Sequence, residues 1–127
     1  MKRQIKFRAL IDGKMITPCY LELFKDGSFN AGGTNVWEEA GLADELMQYI
    51  GLKDESGKEI YEGDILQDEH GDNYEVIFDN GAFCIKSNLY IITPINWGVW
   101  RNETESFNRS VELRIIGNIH ENRDLLT

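Results

Sequence analysis

Two acidic residues, Glu62 and Asp64, are the pair in this sequence whose spacing could most readily support chemistry. On a β-strand, side chains two residues apart point to the same face. Two such carboxylates could bind a divalent cation or act as general acid and base. More often a pair of this kind lies on a solvated strand face, or one member caps a turn. We favour this second interpretation.

Other residues with reactive side chains are too widely spaced to form a recognisable site. Cys19, Cys84, His70 and His120 do not occur at the short intervals of zinc sites. Cys84 and His120 could form a nucleophile–base pair, but no pattern supplies an orienting acid or an oxyanion site. The glycines at 32–33 lack the Lys-Ser/Thr of a phosphate loop. The sequence therefore predicts no catalytic residues, no metal and no cofactor.

A binding surface is better supported than an active site. Large aromatic side chains surround a polar segment at 96–108, and Trp and Tyr are enriched at interaction hot spots. The alternative is that Tyr61 and Trp97 are core residues that cap one end of a barrel. The predicted binding residues are Tyr61, Trp97, Trp100 and Phe107, with Glu62 and Asp64 beside them.

Composition and charge restrict the class of protein. The 127 residues are 42% hydrophobic and 28% charged, as in a globular chain. The net charge of −9 opposes general binding to nucleic-acid phosphates. A basic cluster at Lys2, Arg3, Lys6 and Arg8 could contact phosphate, but we favour the solvated face of an edge strand. No apolar run is long enough to span a bilayer and no signal sequence is recognisable, so we expect a cytoplasmic protein with two free thiols.

Alternation of apolar and polar residues predicts strands along most of the chain. Turns are predicted at 25–28, 55–58 and 69–72, and a short helical turn near 122–126. Asn80-Gly81 is the strongest hairpin signal, because a type I′ turn needs positive φ at both central residues. It should join adjacent antiparallel strands in which Val76 and Ile85 are paired.

One helix is predicted at 36–47. Asn35 and Glu38 resemble an N-cap with its partner, and Leu42 and Leu46 recur at helical spacing. Gly41 weakens this helix. The segment 46–52 could instead be a strand.

Four blocks of the chain carry a resemblance to a known family. They are IKFRA at 5–9, LMQYIGLKDESGKEIYEGDIL at 46–66, VIFDNGAFC at 76–84 and IIGNIHEN at 115–122. In this order the blocks resemble the YopX family, small proteins encoded mainly by bacteriophages and prophages. The segments 32–44 and 96–109 match poorly. The resemblance implies a mainly β fold with an SH3-like part and a phage origin, and it brings no catalytic residues to map.

These observations predict an α+β, mainly β protein. We expect a β-rich segment with one helix at 1–50 and an SH3-like barrel at 51–127, packed as one compact unit. Its expected role is that of a phage or prophage accessory protein that binds a host or phage protein or self-associates, without catalysis and without membrane contact. The alternative is a nucleic-acid-associated SH3-like module, which rests on fold analogy alone.

Overall fold

The structure is a computed structural model that describes residues 4–11, 13–32, 41–42, 45–87, 92–94 and 112–126. The chain divides into two compact units. The N-terminal unit is Ile5–Gln48, and the C-terminal unit is Tyr49–Thr127 together with Met1–Gln4. Antiparallel strands make up nearly all of the regular structure in the described residues, which confirms the mainly β prediction.

The N-terminal unit contains two small antiparallel sheets. Its strands are β1 (Phe7–Ile11), β2 (Lys14–Ile16), β3 (Leu21–Leu23), β4 (Phe29–Ala31), β5 (Gly41–Leu42) and the first half of β6 (Glu45–Lys53). In one sheet β1 pairs with β2 on one side and with β6 on the other. The predicted edge strand at Lys6 and Arg8 is therefore wrong, because β1 is central. In the other sheet β4 lies between β3 and β5.

The C-terminal unit is built around a five-stranded antiparallel sheet. Its elements are the second half of β6, β7 (Glu59–Tyr61), β8 (Asp64–Gln67), β9 (Asn73–Asp79), β10 (Ala82–Ser87), β11 (Ile92–Pro94), β12 (Arg114–Asn118) and a 3-10 turn (Arg123–Leu126). The strand order is β11-β10-β9-β8-β12. The second half of β6 pairs with β7. The short helical turn predicted near 122–126 is confirmed.

The core of the C-terminal unit contains buried residues from β6, β7, β8, β9 and β10, together with Leu113. Val76 of β9 lies opposite Ile85 of β10, and both are buried. Because successive side chains of a strand point to opposite faces, this register places Val76 and Ile85 on the same face of the hairpin. The buried cluster comprises Leu52, Ile60, Leu66, Val76, Ile85 and Leu113.

The hairpin predicted at Asn80-Gly81 is confirmed. Asn80 has φ of 49° and Gly81 has φ of 80°, and Asp79 pairs with Ala82 across a two-residue loop. Positive φ at both central residues is the type I′ geometry, whose twist matches that of the flanking strands.

The three other predicted turns share one hairpin geometry. In the loops 24–28, 54–58 and 68–72, the first residue donates its N–H to the carbonyl of the fifth, and the fourth residue donates to the carbonyl of the first. The fourth residue is glycine each time, at φ near 90° in Gly57. This is a type I turn followed by a left-handed residue, a common hairpin connection.

The helix predicted at 36–47 is wrong over the part that the structure describes. Residues 41–42 and 45–47 belong to strands β5 and β6, while 36–40 and 43–44 lie outside the described residues. Met47 and Tyr49 are buried and Gln48 between them is half-buried, so burial follows a period of two over 46–50 of β6. Pairing with β1 satisfies its backbone and overrides the helical spacing. The strand alternative for 46–52 is correct.

No α-helix occurs in the described part of the chain, and none of its helical segments is long and apolar enough to cross a membrane.

Candidate functional site

The carboxylates Glu62 and Asp64 do not share a strand face. Glu62 lies in the turn between β7 and β8, and Asp64 is the first residue of β8. The Asp64 side chain is buried, and its Oδ2 accepts the N–H of Tyr61 at 2.8 Å. The structure therefore gives Asp64 the turn-capping role, and the geometry of a one-face acid–base or cation pair is absent at these two residues.

Tyr61 is half-buried in β7. Its ring lies 5.7 Å from that of Tyr49, tilted by 45°, and Tyr49 is itself buried. This contact supports the core interpretation of Tyr61. The other predicted aromatic residues, Trp97, Trp100 and Phe107, lie outside the described residues.

Asp54, a buried carboxylate that is not among the predicted site residues, accepts hydrogen bonds at both of its oxygens. Its Oδ1 accepts the N–H of Ser56 at 2.9 Å, the hydroxyl of Ser56 at 2.7 Å and the N–H of Lys58 at 2.8 Å. Its Oδ2 accepts the N–H of Ile115 at 3.0 Å. Burial alone would raise the pKa of Asp54, but these hydrogen bonds together outweigh it and lower the pKa. Asp54 therefore stays ionised and ties its hairpin loop to β12.

Asp68 repeats this arrangement in the next hairpin loop. Its Oδ1 accepts the N–H groups of His70 and Asp72, both at 2.9 Å, and its Oδ2 accepts the Tyr74 hydroxyl at 2.9 Å. Burial, followed by the hydrogen bond to Asp68, raises the pKa of Tyr74 to about 12. The acidic residue that begins each of these loops could have been recognised from the repeated pattern Asp-Glu-X-Gly at 54–57 and 68–71.

A polar groove of about 380 Å³ lies between these two loops and β12. In this groove the Arg114 guanidinium donates a hydrogen bond to the side-chain oxygen of Gln67. The Oε1 of Glu69 lies 3.6 Å from Nε2 of His70. The lining residues are Glu55, Gln67, Asp68, Glu69, His70, Gly71, Glu112 and Arg114. Among the described residues no three His, Cys, Asp or Glu side chains converge as metal ligands.

The two cysteines differ in exposure. Cys19 is exposed in the N-terminal unit, and Cys84 is buried in β10. Burial, with a smaller contribution from the charge of Asp79, raises the pKa of the Cys84 thiol. A raised pKa keeps the sulfur protonated and unreactive at neutral pH. The backbone N–H of His120 donates to the side chain of Asn118 at 3.0 Å, as part of the turn after β12.

The tip of the β9–β10 hairpin presents an exposed aromatic side chain. Phe78 is 56% exposed, and its ring meets that of Phe83 edge-on at 5.2 Å. The two residues are directly opposite in the ladder, and Phe83 packs against the core. We call this region, formed by Phe78, Phe83, Asn80 and Gly81, the Phe78 end of the sheet.

The described part of β11 ends beside the same region. Pro94 of β11 lies opposite Cys84 in the antiparallel ladder, so the chain direction at Pro94 is toward the Phe78 end. The polar and aromatic segment at 96–108 follows directly in the sequence. The Phe78 end is therefore the candidate functional site of the C-terminal unit.

Comparison with known proteins identifies relatives of the same fold. The chain is similar to the crystal structure of protein EF1440 from Enterococcus faecalis, with a TM-score of 0.59 and 25% identity over 99% of this chain and 100% of that one. It is also similar to the crystal structure of protein YopX from Bacillus subtilis, with a TM-score of 0.61 and 19% identity over 96% of this chain and 98% of that one. The search of curated proteins returned no match.

A family model described as YopX protein matches residues 13–127. This range contains both compact units almost entirely and includes three of the four sequence blocks that suggested the resemblance. The chain therefore belongs to the YopX family.

Proposed function

We propose that this protein is a non-catalytic binding module that contacts another protein through the Phe78 end of its C-terminal unit. The observation that carries the proposal is the exposure of the Phe78 ring beside Phe83. An aromatic ring concentrates apolar area with little rotamer entropy, so its burial at a contact is favourable. Two strands and a tight turn hold the ring, which limits the entropy lost on binding.

The roles of the buried carboxylates support a binding function over a catalytic one. Asp54 and Asp64 accept backbone hydrogen bonds that fasten turns to strands. A carboxylate whose oxygens already accept backbone hydrogen bonds has a structural role and is poorly suited to transfer protons. The net charge of −9 favours a protein partner over nucleic acid, because phosphate backbones are repelled.

The aromatic residues of the neighbouring segment belong to this proposal as well. Trp97, Trp100 and Phe107 supply further apolar area, and we assign them to the same contact surface on the strength of the sequence pattern. The partner in this proposal is a host or phage protein, or a second copy of the chain. The family resemblance supports a phage or prophage origin and action in the cytoplasm of a bacterial host.

The proposal also includes an SH3-like barrel for the C-terminal unit. Five short antiparallel strands with β12 returning beside β8 support this architecture. The edge of β12 is further linked to a neighbouring loop, since Glu55 donates its N–H to the carbonyl of Leu113 at 2.9 Å.

A matched pair of phenylalanine substitutions tests the binding surface. Phe78→Ser removes the exposed ring of the Phe78 end, and Phe24→Ser removes a 42% exposed ring at a hairpin loop of the N-terminal unit. Self-association is measured by light scattering, and partner capture from host lysate by quantitative mass spectrometry. Trp100→Ala is measured in parallel, with thermal unfolding as the control for folding.

We expect Phe78→Ser and Trp100→Ala to weaken the dominant association about tenfold or more while Phe24→Ser leaves it intact. Equal association of the wild type and the three variants would contradict the proposal. So would salt-sensitive binding of the wild type to DNA or RNA as its strongest interaction, which would support the nucleic-acid alternative. Tryptophans at 97 and 100 that resist acrylamide quenching in the monomer would place both in the core.

A further inference from the structure

Asn80 stands apart from the other asparagines that the structure describes. It is exposed at the tip of the β9–β10 hairpin, and its side chain forms no hydrogen bond within the described residues. The remaining four donate or accept through their side chains, and they are Asn30, Asn73, Asn118 and Asn122.

The residue that follows Asn80 is the second distinguishing feature. Asn80 precedes glycine, and this Asn-Gly step occurs once in the sequence. Gly81 has no side chain to shield its backbone nitrogen, and its N–H makes no hydrogen bond among the described residues. The other four described asparagines precede Ala31, Tyr74, Ile119 and Arg123.

From this combination we propose that Asn80 is a site of spontaneous covalent modification, in which its side-chain amide is converted to an acid through a cyclic imide. The Gly81 nitrogen loses its proton and attacks Cγ of Asn80. The new N–C bond closes a five-membered ring, the bond from Cγ to Nδ2 breaks, and the amide nitrogen leaves as ammonia. Water then opens the ring at either carbonyl and gives aspartate or its β-linked isomer.

The hairpin controls the rate of this reaction. Ring closure requires the Gly81 nitrogen to approach Cγ, and this needs rotation about the Asn80 Cα–C bond away from the turn geometry. The turn must therefore open first. Only two residues join the strands, and exposed loop tips open locally at low free energy. The reaction is slower than in the unfolded chain and still faster than at asparagines held by hydrogen bonds.

The products alter the tip of the hairpin. Either product adds a carboxylate next to Asp79, in a chain whose net charge is already −9. The β-linked isomer also inserts a carbon into the backbone of a two-residue turn, which cannot then keep the type I′ geometry. Conversion should therefore lower the thermal midpoint of the modified fraction.

Peptide mapping by mass spectrometry tests the assignment directly. The folded protein is incubated at mildly alkaline pH, digested at intervals, and the amide-to-acid conversion is followed separately at each asparagine. We expect Asn80 to convert several-fold faster than Asn30, Asn73, Asn118 or Asn122, with both products present. In denaturant Asn80 should convert faster still.

An intact-protein measurement provides the matched control. Isoelectric focusing of the incubated wild type should show an acidic form that accumulates with time, and Asn80→Ser should lack this form. Conversion of Asn80 no faster than that of the four bonded asparagines would overturn the assignment. So would an unchanged Asn80 peptide in folded protein whose denatured form converts readily, because the hairpin would then protect the site.

Discussion

At the scale of single residues, Asp54 shows how one carboxylate can organise a loop. It is 1% exposed and accepts hydrogen bonds from its own loop and from β12. An ionised group at this depth is stable only while these donors remain, because burial of an unpaired charge is costly. Asp54 therefore stabilises its loop because both of its oxygens accept hydrogen bonds. A neutral amide has only one oxygen and cannot accept all of them.

The first prediction is that Asp54→Asn destabilises the protein. The asparagine amide has one acceptor oxygen and one NH₂ group. Its NH₂ group would therefore face either the N–H of Ile115 or the N–H groups of the loop, and those donors would lose their acceptor. We expect a loss of about 2 kcal/mol in the free energy of unfolding, as for other buried donors left unpaired. Urea unfolding measures this loss. Asp26→Asn, in the exposed loop 24–28, is the matched control and should change stability little.

The second prediction concerns pH. The pKa values of Asp54 and Asp68 are lowered in the folded protein from the usual value of 3.8. Their contribution to stability is therefore fully present above that value and is lost as the pH falls through the lower folded pKa. Urea midpoints of the wild type should fall steeply below about pH 4, and those of Asp54→Asn less steeply. Parallel curves for the two proteins would contradict this origin of the acid sensitivity.

At the scale of elements, Gly117 explains how the chain turns after β12. A Cβ at this position would lie 2.5 Å from Oδ1 of Asn122 and 2.8 Å from its Cγ. That same Oδ1 accepts the N–H of Asn118 at 3.2 Å, and the Asn118 side chain accepts the N–H groups of His120 and Glu121 at 3.0 Å. The close approach of Asn122 to the strand therefore requires glycine.

The third prediction is that Gly117→Ala lowers the free energy of unfolding by about 1–3 kcal/mol, as overpacking does elsewhere. The added methyl group must displace Asn122 and break its bond to Asn118. Asn122→Gly in the same chain should restore part of the loss, because it removes the atoms that clash. Additive effects of the two substitutions, measured by thermal unfolding, would show that the clash is not the cause.

Elements differ in how well the sequence predicted them. The Asn80-Gly81 hairpin was predictable because a two-residue turn with positive φ admits few residue types. The strand at Glu45–Lys53 was ambiguous because its apolar residues fit both a period of two and a helical spacing, and pairing with β1 decides between them. The pairing is a tertiary contact, so it leaves no local signal.

The candidate site was harder to predict than the fold. Tyr61, predicted at the contact surface, packs on Tyr49, while the exposed Phe78 is not among the predicted binding residues. Alternation assigns Phe78 to the same face as the buried Val76, yet its ring is exposed near the tip of the hairpin. Where a core ends depends on the register of several strands together, which single-sequence patterns do not contain.

At the scale of the whole molecule, charge opposes the compact state. Acidic residues number 22 and basic residues 13, which gives the net charge of −9. Several carboxylates surround the groove of the C-terminal unit, and Glu69 there has an 83% exposed side chain. Like charges held together in the folded protein repel one another, and salt screens this repulsion.

The fourth prediction is that sodium chloride raises the thermal midpoint and that Glu69→Lys does so without added salt. The substitution replaces a negative charge in the lining of the groove with a positive one, for a gain of about 0.5 kcal/mol, typical of exposed charge pairs. The variant should also respond less to salt than the wild type. Thr17→Lys, an exposed addition of positive charge in the N-terminal unit, separates the local effect from that of net charge. Because Glu69→Lys changes the net charge by two and Thr17→Lys by one, a gain from Glu69→Lys about twice that from Thr17→Lys would attribute the effect to net charge alone. A midpoint that falls with salt would show that repulsion among carboxylates does not limit the stability of this fold.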